Sequence, residues 1–205
     1  MTDTLGVTHA VRKARAEDVP RFAATLARAF DDDPPVQWVM PDAATRVPRL
    51  EQAFALYLRA LWIEQDVCFM TEDGSGAAAW ELPGRWKVPV SGQLRLLPPM
   101  LRIYRRNTPR VLKALAALES GHPEAPHYYL PFAGVLPERQ GQGIGTALLR
   151  PMLDRCDAEG VPAYLEATTP RNRDLYARNG FTVTEEFTLG DGSPPLWRMW
   201  RDPAR

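Results

Sequence analysis

A glycine-rich segment in the second half of the chain most constrains the fold. Residues 130–146 read LPFAGVLPERQGQGIGT, an apolar run followed by Gly141, Gly143 and Gly145. The apolar run predicts a strand, and the spacing of apolar residues after Gly145 predicts an amphipathic helix. Glycines at alternate positions let main-chain N–H groups turn toward one point, beside the positive end of the helix dipole. The segment therefore predicts a phosphate-binding turn between a strand and a helix.

Two familiar kinds of phosphate site share this outline, and the residues argue against both. A P-loop has Lys and then Ser or Thr after its last glycine, whereas Thr146 follows Gly145 directly. A dinucleotide fingerprint that starts at Gly141 needs a small residue at position 146, where Thr146 stands. Glu166, at the end of the next predicted strand, would nonetheless suit a ribose. An NAD-binding oxidoreductase therefore stays open as an alternative.

A third pattern, Gln-x-x-Gly-x-Gly, fits the segment at every defined position. Gln140, Gly143 and Gly145 supply it, and Asn172 and Tyr176 follow downstream, ahead of a Gly-Phe pair. On these residues the sequence resembles the GNAT superfamily of acetyl-coenzyme A-dependent N-acetyltransferases.

A closer resemblance covers about residues 120–185. The stretches 122–126, 160–168 and 170–184 are similar to the corresponding parts of puromycin-type N-acetyltransferases. The sequence departs from the superfamily's commoner pattern at Thr169, which replaces an Asn that often stands seven residues before the tyrosine.

The resemblance implies an α/β (α+β) chain with the GNAT acyltransferase fold, a mixed central sheet of about seven strands flanked by helices. Residues 1–205 are then a single acetyltransferase domain, with residues 84–126 as a helical insertion before the coenzyme-binding strand. Local patterns agree with this organisation. Residues 67–71 and 77–82 predict a hairpin. Thr108-Pro109 predicts a break within the insertion, with Thr as the cap and Pro at the first helical position.

The resemblance also implies acetyl-CoA as the cosubstrate. Its pyrophosphate would lie on the amides of the glycine turn, and its pantetheine arm would pair with the preceding strand, beside a splay between that strand and residues 163–168. No metal is implied. The implied cofactor-binding residues are Phe132, Ala133, Val135, Gln140, Gly141, Gln142, Gly143, Ile144, Gly145, Thr146, Asn172 and Tyr176.

Three residues in or near this predicted site each allow two structural interpretations. Pro131 and Gly134 weaken ordinary ladder pairing, which is consistent with a local opening of the sheet or with a plain bulge. Asn172 either bonds the coenzyme arm or makes a local cap or turn bond.

The expected reaction is acetyl transfer from acetyl-CoA to a primary amine of a small molecule, by direct attack. The match to the family's tyrosine implies Tyr176 as the general acid for the departing thiolate, against the alternative of a packed tyrosine. Glu166 is the preferred base or water-positioning group, because alternation puts it mid-strand on one face with Tyr164 and Thr168. Its alternative is an ion pair with an Arg on a neighbouring helix. A non-catalytic acyl-CoA sensor on the same fold remains the second functional hypothesis.

Other groups compete with Glu166 for the role of base. Glu81, His122, His127 and Tyr128 could each reach the amine side of the cleft.

The composition of the chain limits the kinds of binding partner to be expected. Lys+Arg 25 balance Asp+Glu 25, so no sequence-wide field favours nucleic acid or an anionic membrane. Cys68 and Cys156 lie far apart without metal-ligand spacing, which is typical of a reduced cytoplasmic protein. The first sixteen residues lack the apolar core of a signal peptide. Acetyl-CoA and a small amine are the expected partners, and a homodimer is left open.

Three weaker patterns remain. Asp31–Asp33 predicts either a solvated loop or an attraction for a cationic amine. The basic residues of 102–113 predict either a wet helix face or a contact with the ribose phosphate of the coenzyme. Leu196–Trp200 predicts a strand that pairs across a dimer or lies at the edge of the sheet.

Overall fold

A computed structural model of the protein describes residues 9–204. One mixed sheet contains the strands β1 (Val11–Lys13), β2 (Cys68–Thr71), β3 (Gly76–Glu81), β4 (Tyr128–Val135), β5 (Ala163–Ala167), β6 (Thr182–Thr188) and β7 (Pro195–Arg201). The helices are α1 (Val19–Ala29), α2 (Pro34–Val39), α3 (Ala43–Tyr57), α4 (Val90–Tyr104), α5 (Thr108–Ser120), α6 (Ile144–Glu159) and α7 (Pro170–Arg178). The predicted mixed sheet of seven strands with flanking helices is confirmed.

The strand order is β1-β2-β3-β4-β5-β7-β6. β4 and β5 pair in parallel, and the other neighbours are antiparallel. β7 lies between β5 and β6, so both of its edges are already paired. The expectation that residues 196–200 form an edge or pair across a dimer is therefore wrong. No helix within residues 9–204 is long and apolar enough to cross a membrane.

The hairpin predicted from residues 67–82 is confirmed, and residues within its turn stabilise it. β2 and β3 pair antiparallel, with Met70 opposite Ala77. Asp73 accepts hydrogen bonds from the Ser75 amide at 3.0 Å and the Ser75 hydroxyl at 2.6 Å. Gly74 has φ +69°, a conformation that glycine adopts without strain.

The sheet has an apolar core on each face. Phe22 and Leu26 of α1 and Phe54 of α3 are buried on one face. Leu148 and Met152 of α6 are buried on the other. Each such side chain stabilises the fold by roughly 1.5–3 kcal/mol when fully buried.

The loop after α1 leads directly into a short helix, α2, that the sequence analysis did not predict. Asp33 accepts a hydrogen bond from the Val36 amide at 3.2 Å, and Pro34 and Pro35 occupy the first two helical positions. Capping by Asp and Pro at the first turn are both favourable, so the chain re-enters a helix immediately. The next helix, α3, ends at Tyr57 and continues as short π and 3-10 turns.

Helices α4 and α5 form the predicted broken helical stretch between β3 and β4. The break lies at Thr108, as expected, but Thr108 is not the cap. It is the first residue of α5, and its hydroxyl donates to the Arg105 carbonyl at 2.7 Å.

Candidate active site

The parallel pair β4 and β5 separates partway along its length. The register joins Tyr128 to Ala163, Tyr129 to Tyr164 and Leu130 to Leu165. Residues 131–135 continue to pair with β3 on the other side. The expected splay is therefore present, and one edge of this half of β4 is left without a neighbouring strand. Such an edge offers main-chain donors and acceptors to an extended ligand.

Gly134 has a packing role within this half-strand. It pairs with Ala77 in the regular ladder, and an added Cβ would lie 2.7 Å from the Ala29 Cβ. The missing side chain lets α1 approach the sheet. The irregularity in the ladder lies instead between Ala79 and Glu81, opposite the segment that contains Pro131.

The glycine turn leads directly from β4 to α6. Gly141 has φ +79° and Gly143 has φ +84°, values that favour glycine. The Ala147 amide makes the first bond of the helix, to the Gly143 carbonyl at 3.1 Å. The amides of the residues between them therefore have no partner inside the helix. They lie at the positive end of the helix dipole, where an anion is stabilised.

A cleft of about 470 Å³ lies where the glycine turn, the splay and α7 meet. Most of the sequence-predicted coenzyme residues line it: Ala133, Val135, Gln140, Gly141, Gly143, Ile144, Gly145, Thr146, Asn172 and Tyr176.

Two predicted coenzyme residues do not line the cleft with the others. The ring of Phe132 packs against Phe30, Phe54 and Trp62 on one face of the sheet. The side chain of Gln142 accepts a hydrogen bond from Arg139 at 3.2 Å. For both residues, only the main chain remains as a means of contacting a ligand in the cleft.

Three arginines that the sequence analysis did not single out also line the cleft, namely Arg139, Arg171 and Arg178. Arg171 donates to the Gln140 side chain at 2.6 Å, and Gln140 in turn donates to the Val135 carbonyl at 3.2 Å. This chain of bonds fixes a guanidinium beside the glycine turn. Guanidinium groups bind phosphate well, because their donors match its oxygens in geometry.

Tyr176 is buried at one wall of the cleft, with 7% of its surface exposed. It projects from α7, which begins where the Thr169 hydroxyl accepts from the Asn172 amide at 3.1 Å. Asn172 thus takes part in the local cap and also lines the cleft. Burial raises the pKa of the Tyr176 phenol, and the nearby charge of Asp33 raises it further. Tyr176 is therefore protonated at neutral pH.

Asp33, which the sequence analysis considered only as part of the acidic run 31–33, is a residue of the site. Its side chain lines the cleft, but only 7% of the residue is exposed. The Thr168 hydroxyl donates to it at 2.5 Å, and burial raises the pKa of its carboxyl to about 6. The run Asp31–Asp33 is therefore more ordered than a solvated loop, because Asp31 also pairs with Arg46 at 2.8 Å. The Asp-Pro-Pro sequence, a cap signal, could have revealed this.

Glu166 does not line the cleft; it lies on the sheet face that carries α1 and α3. Its two carboxylate oxygens accept from the hydroxyls of Tyr129 at 2.9 Å and Tyr164 at 2.8 Å. Burial raises the pKa of its carboxyl to about 7. The expected alternative, an ion pair with a helical arginine, is not found among the described residues, since Arg198 is its partner across the ladder on β7.

The competing base candidates divide between the two faces. Glu81, His122 and His127 gather near Glu166, with His122 and His127 joined at 3.0 Å. Burial lowers the pKa of both histidines, that of His122 to about 3, so both are neutral at pH 7. Tyr128 lies on the opposite face, in the core under α6, and its hydroxyl donates to Glu159 at 2.5 Å.

The basic residues of 102–113 do not reach the cleft. Arg102 and Arg105 line a separate open depression together with Arg49. The expected contact with the coenzyme phosphate is therefore not supported; the arginines that line the cleft are Arg139, Arg171 and Arg178.

Comparison with known proteins agrees with this geometry. The acetyltransferase (GNAT) family model matches residues 100–181. An uncharacterized N-acetyltransferase of Schizosaccharomyces pombe is 27% identical over 214 residues, which cover 95% of this chain and 83% of that protein.

Two solved structures share the fold. A histone acetyltransferase HPA2 and related acetyltransferase from Corynebacterium glutamicum has a TM-score of 0.73 and 24% identity, covering 97% of this chain and 98% of that one. The polyamine N-acetyltransferase of Drosophila melanogaster has a TM-score of 0.62 and 14% identity, covering 94% and 98%. The protein has the GNAT fold, and residues 100–181 are similar to the acetyltransferase (GNAT) family. The largely antiparallel sheet also differs from the parallel sheet of NAD-binding domains.

Proposed function

We propose that the protein, as a single catalytic domain, is an N-acetyltransferase that moves an acetyl group from acetyl-CoA to a primary amine of a small molecule. The observation that carries the proposal is the convergence of three features on one cleft. These are the unpaired half of β4, the glycine turn at the start of α6, and the buried Tyr176.

The cleft suits coenzyme A as a substrate. The amides of residues 141–146 and the arginines at 139, 171 and 178 offer donors for its phosphates. A Cβ built on Gly143 meets nothing within 4 Å, so the turn leaves room for a ligand to approach the main chain. The open edge of residues 131–135 offers main-chain groups to the amides of the pantetheine arm.

Tyr176 supplies the proton for the departing thiolate. Because its pKa is raised, the hydroxyl keeps its proton at neutral pH and remains a donor. Even with the ordinary phenol pKa of about 10, transfer to a thiolate of pKa about 8.5 is uphill by roughly 2 kcal/mol, and the raised pKa of Tyr176 makes it more so. A hydrogen bond that stabilises the phenolate as it forms can offset that difference.

Glu166 takes the proton that the amine loses on attack. It is the first residue of β5 beyond the last pair with β4, so it lies where the splay opens. A pKa of about 7 is close to the value that favours general base catalysis at neutral pH. Hydrogen bonds from the hydroxyls of Tyr129 and Tyr164 hold the carboxylate in place.

The decisive experiment combines binding and turnover. Calorimetry measures coenzyme A binding, and thiol release follows transfer from acetyl-CoA to a panel of small amines. The panel includes puromycin and aminoglycosides, because residues 122–184 resemble puromycin-type enzymes. We expect saturable binding and release with at least one amine. Saturable binding without release to any amine favours the acyl-CoA sensor, and stabilisation by NAD alone refutes the proposal.

A further inference from the structure

A buried carboxylate, that of Glu81, and a partly buried one, that of Glu166, lie near each other on the sheet face opposite α6. Glu81 on β3 is paired with Tyr129 on β4, and Tyr129 is paired with Tyr164 on β5. The Tyr129 hydroxyl then bonds Glu166, which brings the second carboxylate into the same group. We call these four residues, Glu81, Tyr129, Tyr164 and Glu166, the acidic cluster.

The two carboxylates of the acidic cluster differ in how many of their oxygens accept a hydrogen bond. Both oxygens of Glu166 accept a hydrogen bond from a tyrosine. Glu81 is 6% exposed, and its Oε1 accepts from the Trp62 indole at 2.7 Å. Its Oε2 is buried, and no residue within 9–204 donates to it. Buried carboxylate oxygens normally have a donor, so this oxygen is explained if a ligand provides one.

No positively charged side chain of the described chain forms an ion pair with Glu81 or Glu166. Arg198, whose charge lowers the pKa of Glu166, donates to Glu185 at 2.5 Å and to the Ala117 carbonyl at 3.1 Å instead. The neighbouring His122 is neutral, because burial lowers its pKa to about 3. Burial and the neighbouring charge of Glu166 raise the pKa of Glu81 to about 7. A cation that entered the acidic cluster would therefore replace a proton there.

Aromatic rings form a wall beside the acidic cluster. Trp86 stacks on His122 with ring centroids 3.8 Å apart, and His122 meets Tyr129 edge-on at 4.8 Å. Trp86, His122 and Tyr129 are each partly exposed, so the wall reaches the surface. Aromatic faces attract ammonium groups, and this attraction strengthens where water is excluded.

We propose that Glu81 binds a positively charged group of the acceptor other than the amine that is acetylated. The preferred acceptors are then diamines, or amines with a second cationic group. The inference rests on the proposed function, in which Glu166 receives the proton of the reacting amine. Because neighbouring strands lie about 4.8 Å apart, β3 and β5 are separated by about 10 Å. Glu81 can therefore hold the far end of an acceptor whose reacting amine lies beside Glu166.

The test compares matched acceptors. Values of kcat/KM are measured for 1,4-diaminobutane against butylamine and for 1,5-diaminopentane against pentylamine. The unmodified protein is expected to favour the diamine by at least about tenfold, as a charged hydrogen bond implies. Glu81→Gln should remove this preference, so that diamine and monoamine have similar kcat/KM values. Glu51→Gln, the same change at an exposed residue of α3, should leave the preference unchanged.

Equal use of diamines and monoamines by the unmodified protein overturns the inference, whether or not the variant folds. A Glu81→Gln variant that loses activity equally on both kinds of amine also overturns it, because that result indicates a purely structural carboxylate. Thermal unfolding and coenzyme A affinity check that the variant is folded.

A binding measurement separates this inference from the proposed function. Calorimetry follows 1,5-diaminopentane and pentylamine binding to the protein loaded with coenzyme A. If the diamine binds more tightly and Glu81→Gln removes the difference, the inference stands even when no amine is acetylated. If amines are acetylated but the diamine has no advantage in binding or in kcat/KM, the proposed function stands and the inference fails.

Discussion

The hydroxyl of Thr168 donates a hydrogen bond to the buried carboxylate of Asp33, which joins the end of β5 to the start of α2. The same carboxylate caps α2 through the Val36 amide and contributes to the raised pKa of Tyr176. One short side chain therefore fixes the loop between α1 and α2, one wall of the cleft, and the surroundings of the proposed general acid. Beyond Leu165, β5 is no longer paired with β4, so the bond from Thr168 to Asp33 stabilises the end of β5 where that pairing is missing.

Replacement of Asp33 tests this link. Asp33→Ala removes the cap of α2 and leaves Thr168 without its acceptor, so the free energy of unfolding should fall by about 2 kcal/mol. Asp33→Asn keeps one oxygen that can accept from the Val36 amide, and its new amide group can donate to the Thr168 hydroxyl, so it should cost less than half as much. Urea denaturation at pH 7 measures both variants. An Asn variant as unstable as the Ala variant would show that the charge, and not the pair of hydrogen bonds, stabilises the loop.

The glycine turn offers a comparison between two glycines with the same local geometry. Gly143 has φ +84° and Gly160 has φ +67°, and a Cβ on either meets nothing within 4 Å. Alanine at each position should therefore lower the free energy of unfolding by about 1–2 kcal/mol through backbone strain alone. Only Gly143→Ala should weaken coenzyme A binding, since Gly143 lines the cleft and Gly160 ends α6.

Chemical denaturation and calorimetry on the two variants check this expectation. Equal coenzyme A affinity in Gly143→Ala and Gly160→Ala would mean that the turn does not hold the ligand.

Tyr176→Phe tests the general acid. The hydroxyl has no hydrogen-bond partner among residues 9–204, so its loss should disturb the fold little. We expect kcat for acetyl transfer to fall by about 10²–10⁴, the range typical of a lost general acid, while the protein continues to bind coenzyme A. Tyr57→Phe is the control, because Tyr57 is partly buried, does not line the cleft and bonds Tyr104 at 3.0 Å. Thiol release that continues unchanged in Tyr176→Phe would remove Tyr176 from the mechanism.

The parts of the site that the sequence predicted are those set by neighbouring residues. The glycine turn follows from Gly141 and Gly143, whose positive φ angles need no distant partner. The hairpin of β2 and β3 follows from turn residues between two apolar runs. The separation of β4 from β5 was also expected, because the family resemblance implies it.

The parts that sequence reasoning missed depend on residues far apart in the chain. Asp33 bonds Thr168 across 135 positions, and no local pattern indicates that pairing. Alternation along β5 placed Glu166 on one face with Tyr164, which is correct, but it could not show that Glu166 itself does not line the cleft. The approach of Glu81 to Glu166 requires the strand order β3-β4-β5, which the sequence does not contain as a local signal.

The raised pKa of Glu81 predicts a pH-dependent effect on stability. Burial raises this pKa from an ordinary value of 4.5 to about 7, so the folded state binds a proton that the unfolded state releases between these values. The stability contributed by this protonation is complete below pH 4.5 and is lost as the pH rises through 7. Glu81→Gln removes the titration. Relative to the unmodified protein, the variant should therefore be more stable at pH 8 than at pH 4.5, by at most about 3 kcal/mol.

Only the difference between the two proteins isolates Glu81, because other groups titrate in the same window. Glu166, with a pKa raised to about 7, changes stability in the same direction. His122, with a pKa lowered to about 3, acts in the opposite direction, since its folded form releases a proton that the unfolded form keeps up to about pH 6.5. The contribution of His122 is common to both proteins and largely cancels. The charge of Glu166 interacts with Glu81, so the measured difference reports the titration of Glu81 together with that interaction. Urea denaturation of both at several pH values measures the difference, with Glu51→Gln as the exposed control. A difference that stays constant from pH 4.5 to 8 would show that Glu81 does not titrate in the folded protein, and the acidic cluster would then hold no exchangeable proton for a cation to replace.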